Sequence, residues 1–306
     1  MFGLSTSWKS KICTDGVELL NQIQETEIPG IELDYRLTVD TFQQMEKPLK
    51  KSGIKVLSVH NIFPRPKVSP PSKASGDAFL LSSVDNDERK LAVKYGCRSI
   101  QFTHDLEAEV VVFHLGKVEI DWKYEEWLKI YDDGLIETAK GKEYIESLLI
   151  QRQAKLDKYL DAVFFSVEKL NEEAIKRNVK VGIENRLFVN RIPNLEEIGL
   201  LLQKFEGGNV GYWHDCGHAQ VWENYGLAKH EQFLKSYSDK LIGIHLHDCK
   251  NGYDDHIAPG TGIVDFDMVK KYLPRSAVKI IEVHNKVSLS ELREGVAFLT
   301  ERGIIE

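Results

Sequence analysis

Short, nearly unbroken runs of Val, Ile and Leu alternate along the chain with longer stretches in which apolar residues recur every three to four positions. The first kind reads as strands covered on both faces, the second as helices with one buried side. The predicted strands are residues 2–5, 30–34, 55–60, 110–115, 180–184, 209–215, 241–247 and 279–284. The predicted helices are 17–27, 41–51, 87–108, 143–177, 195–205, 217–229, 265–272 and 289–301. Strand and helix alternating in this way build βα units around a parallel sheet. Eight such units predict a single-domain α/β fold over residues 1–306, a closed (β/α)8 or TIM barrel, with a doubly wound open sheet as the alternative.

Two stretches exceed the minimal repeat. Residues 62–76 carry Pro64, Pro66, Pro70 and Pro71 with Arg65, Lys67 and Lys73, which excludes helix interior and predicts an extended loop after the third strand. Residues 116–142, with Trp122 and Trp127, follow the fourth strand and read as an insertion. In a barrel both emerge at the C-terminal end of the sheet, where sites are built and long loops form lids or specificity walls. The 306 residues are 42% hydrophobic, enough for a full core. Lys and Arg number 40 against 47 Asp and Glu, and the net charge of −7 argues against a broad basic face for a polyanion. No apolar run approaches the roughly 20 residues of a membrane helix. The opening MFGLSTSWKSK lacks a secretory pattern, and Cys13, Cys97, Cys216 and Cys249 form no CxxC pair, so reduced thiols and a cytoplasmic location are expected.

Polar residues gather where the predicted strands end. His60 ends the third, His114 lies at the end of the fourth, Glu184 ends the fifth, and Asp215 ends the sixth with His218 three residues on. His245 and His247 lie in the seventh, Asp254 and His256 in the loop after it, and Glu282 in the eighth. Successive strand side chains alternate between faces. His245 and His247 oppose Ile244 and Leu246, Glu184 opposes Ile183, His114 opposes Phe113 and Leu115, and Glu282 opposes Ile281 and Val283. The apolar set is therefore expected to face the helices and the polar set the barrel axis. Carboxylates brought together there repel and lose hydration. A divalent cation removes both objections, since carboxylate oxygen and imidazole nitrogen are its usual ligands. Imidazole leans the choice to Mn2+ or Zn2+, with Mg2+, Co2+ and Fe2+ as further candidates. A lone strand-end His is commonly structural, and His214 and His284 read that way; Asp34 reads as a turn or cap residue. Four consecutive strands that each carry an inward acid or His ask for more than that.

The stretches 179–186 (VKVGIENR), 215–219 (DCGHA), 245–250 (HLHDCK), 254–266 (DDHIAPGTGIVDF) and 280–283 (IIEV) resemble the xylose isomerase-like barrels. That family includes sugar and sugar-phosphate isomerases and epimerases and the second family of AP endonucleases, the endonuclease IV type. The resemblance runs from Phe2 to the last helix and is weakest across 116–142. In the isomerase and epimerase branch it implies one metal held by Glu184, Asp215, His245 and Glu282. In the endonuclease branch it implies further ligands at His60, His114, His218, Asp254 and His256, in a cluster of up to three metals. The endonucleases place a basic residue between the last two ligands, where this chain has Asp255. They must also grip a bent duplex, whereas the basic residues near this site are Arg65 and Lys67 in the proline-rich loop, with Lys250, Arg186 and Lys117 scattered.

The resemblance thus implies a metal-dependent sugar or sugar-phosphate isomerase/epimerase with a small carbohydrate as its partner. It leaves nucleic acid as the weaker partner and leaves open whether the chain forms a homo-oligomer. The implied chemistry is proton transfer next to a metal-chelated carbonyl through an enediolate, with Glu184 and Glu282 exchanging the proton as base and acid. His218 would orient a hydroxyl or hold a second metal, and Arg65, Lys67, Arg186, His247 and Lys250 would contact substrate, phosphate included. The alternatives are a multinuclear phosphodiesterase and a polyol dehydratase using the same metal and bases.

Overall fold

The computed structural model describes residues 1–69, 74–250 and 253–306. Eight parallel strands close into a barrel in chain order: β1 (Phe2–Ser5), β2 (Gly30–Leu33), β3 (Lys55–His60), β4 (Val110–Phe113), β5 (Lys180–Glu184), β6 (Val210–Asp215), β7 (Leu241–Leu246) and β8 (Val278–Ile281). Closure runs through the pairing of β8 with β1, Ile281 opposite Leu4. The expected (β/α)8 barrel is the one found. Four strands stop short of the predicted ends: β2 leaves out Asp34, which turns toward Arg36, and β4, β7 and β8 leave out His114, His247 and Glu282, where the chain has already turned out of the sheet into the site.

Around the barrel lie α1 (Ser7–Ser10), α2 (Gly16–Gln24), α3 (Val39–Ser52), α4 (Asn86–Asp105), α5 (Tyr124–Asp132), α6 (Ala139–Arg177), α7 (Leu195–Lys204), α8 (Cys216–Asn224), α9 (His230–Tyr237), α10 (Phe266–Tyr272) and α11 (Leu289–Glu301). Asp15, Thr38, Asp85, Thr138, Asn194, Asp215, Asp265 and Ser288 each accept hydrogen bonds from first-turn amides and so set where eight of these helices begin. Two predicted stretches differ. Residues 217–229 do not form one helix: α8 stops at Asn224, and Gly226, at φ 68°, turns the chain toward α9. The insertion at 116–142 contains α5, whose Trp127 and Ile130 are buried; Trp127 packs with Leu187, Val189, Val221 and Tyr225 in a small separate core. Its single buried turn gives too short a periodic signal to stand out in the sequence. The loop expected at 62–76 is non-helical where described; Pro70, Pro71 and Lys73 lie outside the described residues.

The alternation of faces holds. Val181, Ile183, Ile244, Leu246, Ile281 and Val283 are wholly buried in the main core shared with the helices. Inside the barrel, Val110, Val112, Trp213 and Ile280 form an apolar plug. The Trp213 indole lies across Gly243, where a Cβ would come within 2.0 Å of Cζ3, so the interior accepts this ring only over a glycine. Gly243→Ala is expected to lower stability by about 1–3 kcal/mol through overpacking. Urea unfolding measures it, and an unchanged midpoint would show that the plug yields without cost.

A cavity of about 740 Å³, lined by Met1, Lys55, Glu109 and Arg275 among others, opens at the N-terminal mouth of the barrel. It is remote from the acids and histidines, which occupy the C-terminal mouth where barrel chemistry is built. All four cysteines are free, and no helix among the described residues is long and apolar enough to cross a membrane.

Candidate metal centre

At the C-terminal mouth, Trp213 forms a floor and the His245 ring stands edge-on to it, 5.0 Å between centroids. His245 Nδ1 lies 2.9 Å from Glu184 Oε1, 3.1 Å from Glu282 Oε2 and 3.5 Å from Asp215 Oδ2. One donor atom from each of these four residues lies within 4.8 Å of the others. The other ring nitrogen, Nε2, faces Glu32 at 3.1 Å, and Glu32 is held in turn by the Ser58 hydroxyl at 2.8 Å. A carboxylate on one imidazole nitrogen fixes the ring and leaves the other nitrogen for a cation.

Two further sets flank this one: His60, His114 and Glu184 on one side, His218, Asp254 and His256 on the other. His60, His218 and His256 each meet a backbone carbonyl through Nδ1, those of Asn61, Asn185 and Glu282, at 2.9, 2.8 and 2.9 Å. A carbonyl only accepts, so each Nδ1 carries a proton. His218 and His256 bring Nε2 to Asp254 Oδ2, 3.3 and 2.5 Å away.

Burial alone would raise Glu184 and Asp215, yet His114 and Arg186 hold Glu184, and His218 and His247 hold Asp215, well below the usual carboxylate range. Glu282 is the exception, lifted by burial above its ordinary value against the pull of His245 and His256. Burial would lower His245, but Glu282 and Glu32 drive it well above the ordinary imidazole value. His60 is pushed down to about 3, first by burial and then by His114. Four carboxylates around one imidazole thus draw positive charge, and a divalent ion with a neutral imidazole meets that demand more fully than a proton does. The buried Nδ1 of His247 and Oδ1 of Asp254, neither with a hydrogen-bond partner among the described residues, add donor atoms beside the same set. The residues fit a divalent cation.

A model of the xylose isomerase-like TIM barrel family matches residues 15–302. The chain belongs to that family. An uncharacterized protein of Methanocaldococcus jannaschii is 33% identical over 135 residues, 42% of this chain and 49% of that protein. The matched stretches cover 34%, 49% and 60% of the curated relatives, so the chain spans between a third and three fifths of their length. Among solved structures, a D-tagatose 3-epimerase-like protein superposes with a TM-score of 0.70 at 19% identity, covering 99% of this chain and 97% of that one. A 3-keto-D-glucoside 4-epimerase from E. coli does so with a TM-score of 0.68 at 15% identity, covering 98% of both. At these identities the likeness is one of fold.

This member of the family brings together Glu184, Asp215, His245 and Glu282, with His60, His114, His218, Asp254 and His256 beside them. His247 joins through Nε2, 3.0 Å from Asp215, and Asp215 with Asp254 raises it to about 10 against the effect of burial. Arg186 is buried against Glu184 and His114. Arg65, Lys67 and Lys250 stay outside the buried set. The Arg65 amide donates to Leu37, Lys67 is exposed 3.6 Å from Asp40, and Lys250 is exposed, its amide donating to Asp255. His214 pairs with the Tyr212 hydroxyl and with His230, as a structural histidine would, and Asp34 accepts from the Arg36 amide as a turn residue.

Three residues escaped the strand-end reading. Glu32 opposes Ile31 and Leu33 in β2, so the same alternation singles it out. Asn185 clamps Asp215 from the outer face, its Nδ2 donating to the Asp215 carbonyl and its Oδ1 accepting the Asp215 amide. Asp77, 3.4 Å from His114 Nδ1, comes from a loop with no periodic signal.

Proposed function

We propose that the chain is a divalent-metal-dependent isomerase/epimerase of sugars or sugar phosphates, with a small carbohydrate as its substrate. The observation that carries this reading is the pair of carboxyl groups beside His245, one held anionic (Glu184) and one held toward its protonated form (Glu282), within a set that can hold a cation. Groups of unequal proton affinity at one site are what acid–base exchange requires. Held by Glu184, Asp215, His245 and Glu282, a divalent ion would supply Lewis-acid polarisation of the substrate carbonyl, which acidifies the neighbouring C–H. Glu184 would act as base and Glu282 as acid. Working on one carbon from two sides they epimerise; carrying a proton between adjacent carbons, one of them isomerises. His218 and His247, beside the set, would orient substrate hydroxyls, and Glu32 holds His245 in register. Solved structures of this shape include ones named as a D-tagatose 3-epimerase-like protein, a 3-keto-D-glucoside 4-epimerase, an L-ribulose 3-epimerase and a putative xylose isomerase, names that agree with this chemistry.

The test is solvent deuterium entry into a panel of ketoses and their phosphates, followed by NMR with chain purified without chelator. One deuteron beside the carbonyl is expected, lost on treatment with EDTA and regained with Mn2+ or Zn2+. No exchange across the panel, with cleavage of an abasic-site duplex instead, would overturn the reading. That second activity, a multinuclear phosphodiesterase, is favoured by one observation, the two ligand sets flanking the central one. The net charge of −7 and the peripheral placing of Lys67 and Lys250 weigh against a nucleic-acid substrate.

A further inference from the structure

Arg186 stands between two of the three ligand sets. Its Nη1 lies 2.6 Å from His114 Nε2 and 2.7 Å from Glu184 Oε2, and those two atoms are only 2.8 Å apart. A guanidinium only donates, so in the His114 tautomer that keeps its proton on Nδ1 one N–H of Nη1 goes to the ring and the other to the carboxylate. Two lone-pair atoms that close repel unless positive charge lies between them, and the two N–H groups of Nη1 supply it. The third member, His60, is tied through Nδ1 to the Asn61 carbonyl, with Nε2 4.0 Å from the same Glu184 oxygen. The guanidinium therefore sits against His114 and Glu184, two of the three side chains that would converge on an ion there.

The surroundings hold it there. Arg186 is 6% exposed. Its carbonyl accepts from the Trp222 indole N–H at 2.5 Å. Asp77 faces His114 Nδ1 at 3.4 Å and is itself anchored by Arg191 at 2.7 Å. Gly76 lets this loop close over the ring, since a Cβ there would come within 2.5 Å of His114 Nδ1. The opposite set differs: among the described residues, no lysine or arginine hydrogen-bonds or ion-pairs with His218, Asp254 or His256.

We propose that Arg186 is a resident cation that takes the place of a metal ion at the His60, His114 and Glu184 set. This rests on the reading that the central set holds a divalent ion. Glu184 is then divided, Oε1 toward the central set and Oε2 neutralised by the guanidinium, and it cannot bridge two metals. A permanent positive charge 2.7 Å from the shared carboxylate also repels a second dication. The chain thereby gives up one ion of a three-metal arrangement and keeps the central set for a single ion.

The test counts ions on the full chain, stripped with chelator and reloaded with Zn2+ alone, by native mass spectrometry, with Co2+ visible absorption as a second readout. Arg186→Ala is expected to bind one Zn2+ more per chain than wild type, and to lose that gain when combined with His60→Ala. An Arg186→Ala chain that binds no more Zn2+ than wild type overturns the proposal. Should Arg186→Ala fail to fold, His114→Ala in the wild-type background decides the matter: an unchanged ion count supports the proposal, and loss of an ion overturns it. Asp215→Asn, measured in parallel, reports on the central set. If it loses no ion, the metal-dependent reading fails on its own account, separately from the result for Arg186.

Discussion

Glu282→Gln is expected to lower the turnover of any sugar on which the chain exchanges solvent deuterium by about 10²- to 10⁴-fold, the range general acid–base groups supply. Glutamine keeps the size of the side chain and its hydrogen-bonding reach but takes up no proton. Glu282 suits this role because burial lifts its proton affinity while its neighbours Glu184 and Asp215 are held anionic, so protonation in the set falls first on Glu282 and His245. The same residue is a candidate ligand, 3.1 Å from His245 Nδ1, and its loss weakens metal binding as well. Bound metal is therefore measured in the same samples, and the fall must persist per bound ion. A variant that keeps its ion and more than a tenth of wild-type turnover removes Glu282 from the proton path.

The barrel and the central acids were legible for one physical reason. A β-strand covered by helices on one side and lining the axis on the other must alternate, so an acid or His among Val and Ile declares which way it points. Glu184, Asp215, His245 and Glu282 all obey this, and so does Glu32, although nothing local ties it to His245, 213 positions away. Residues placed by loops leave no such trace. Arg186 follows Glu184 by two positions and reads as one more basic residue near the site; only the turn after β5 shows its guanidinium folded back on Glu184 and His114. Lys67 looks equivalent in sequence, yet the path of the loop after β3 leaves it exposed beside Asp40. The helix α5 was hidden for another reason, since Trp127 and Ile130 are its only buried residues and define barely one turn of a periodic face.

Away from the strands, the loop that carries Arg186 and Arg191 depends on a buried ion pair, and Arg152→Ala is expected to be the most damaging change outside the site. Arg152, on α6, forks onto Glu197 at the start of α7, Nη1 to Oε1 at 2.6 Å and Nη2 to Oε2 at 2.8 Å, while Nη2 also donates to the Arg191 carbonyl at 2.8 Å. Both side chains are nearly wholly buried. Truncating the arginine strands the Glu197 carboxylate without its counter-charge and the Arg191 carbonyl without its donor, a loss of about 3–5 kcal/mol, on the order of 10 °C in Tm for a chain of this size. Arg152→Met with Glu197→Gln leaves no unpaired charge, and the glutamine can still accept the Asn194 amide that Glu197 caps. The double variant is therefore expected to recover much of the lost Tm. The damage also has a direction, because Arg191 holds Asp77 and Asp77 faces His114. In Arg152→Ala, hydrogen exchange is expected to rise first in residues 186–194, ahead of the strands. A Tm within about 2 °C of wild type, or exchange that rises evenly over the barrel, would show that this pair does not brace the loop behind Arg186.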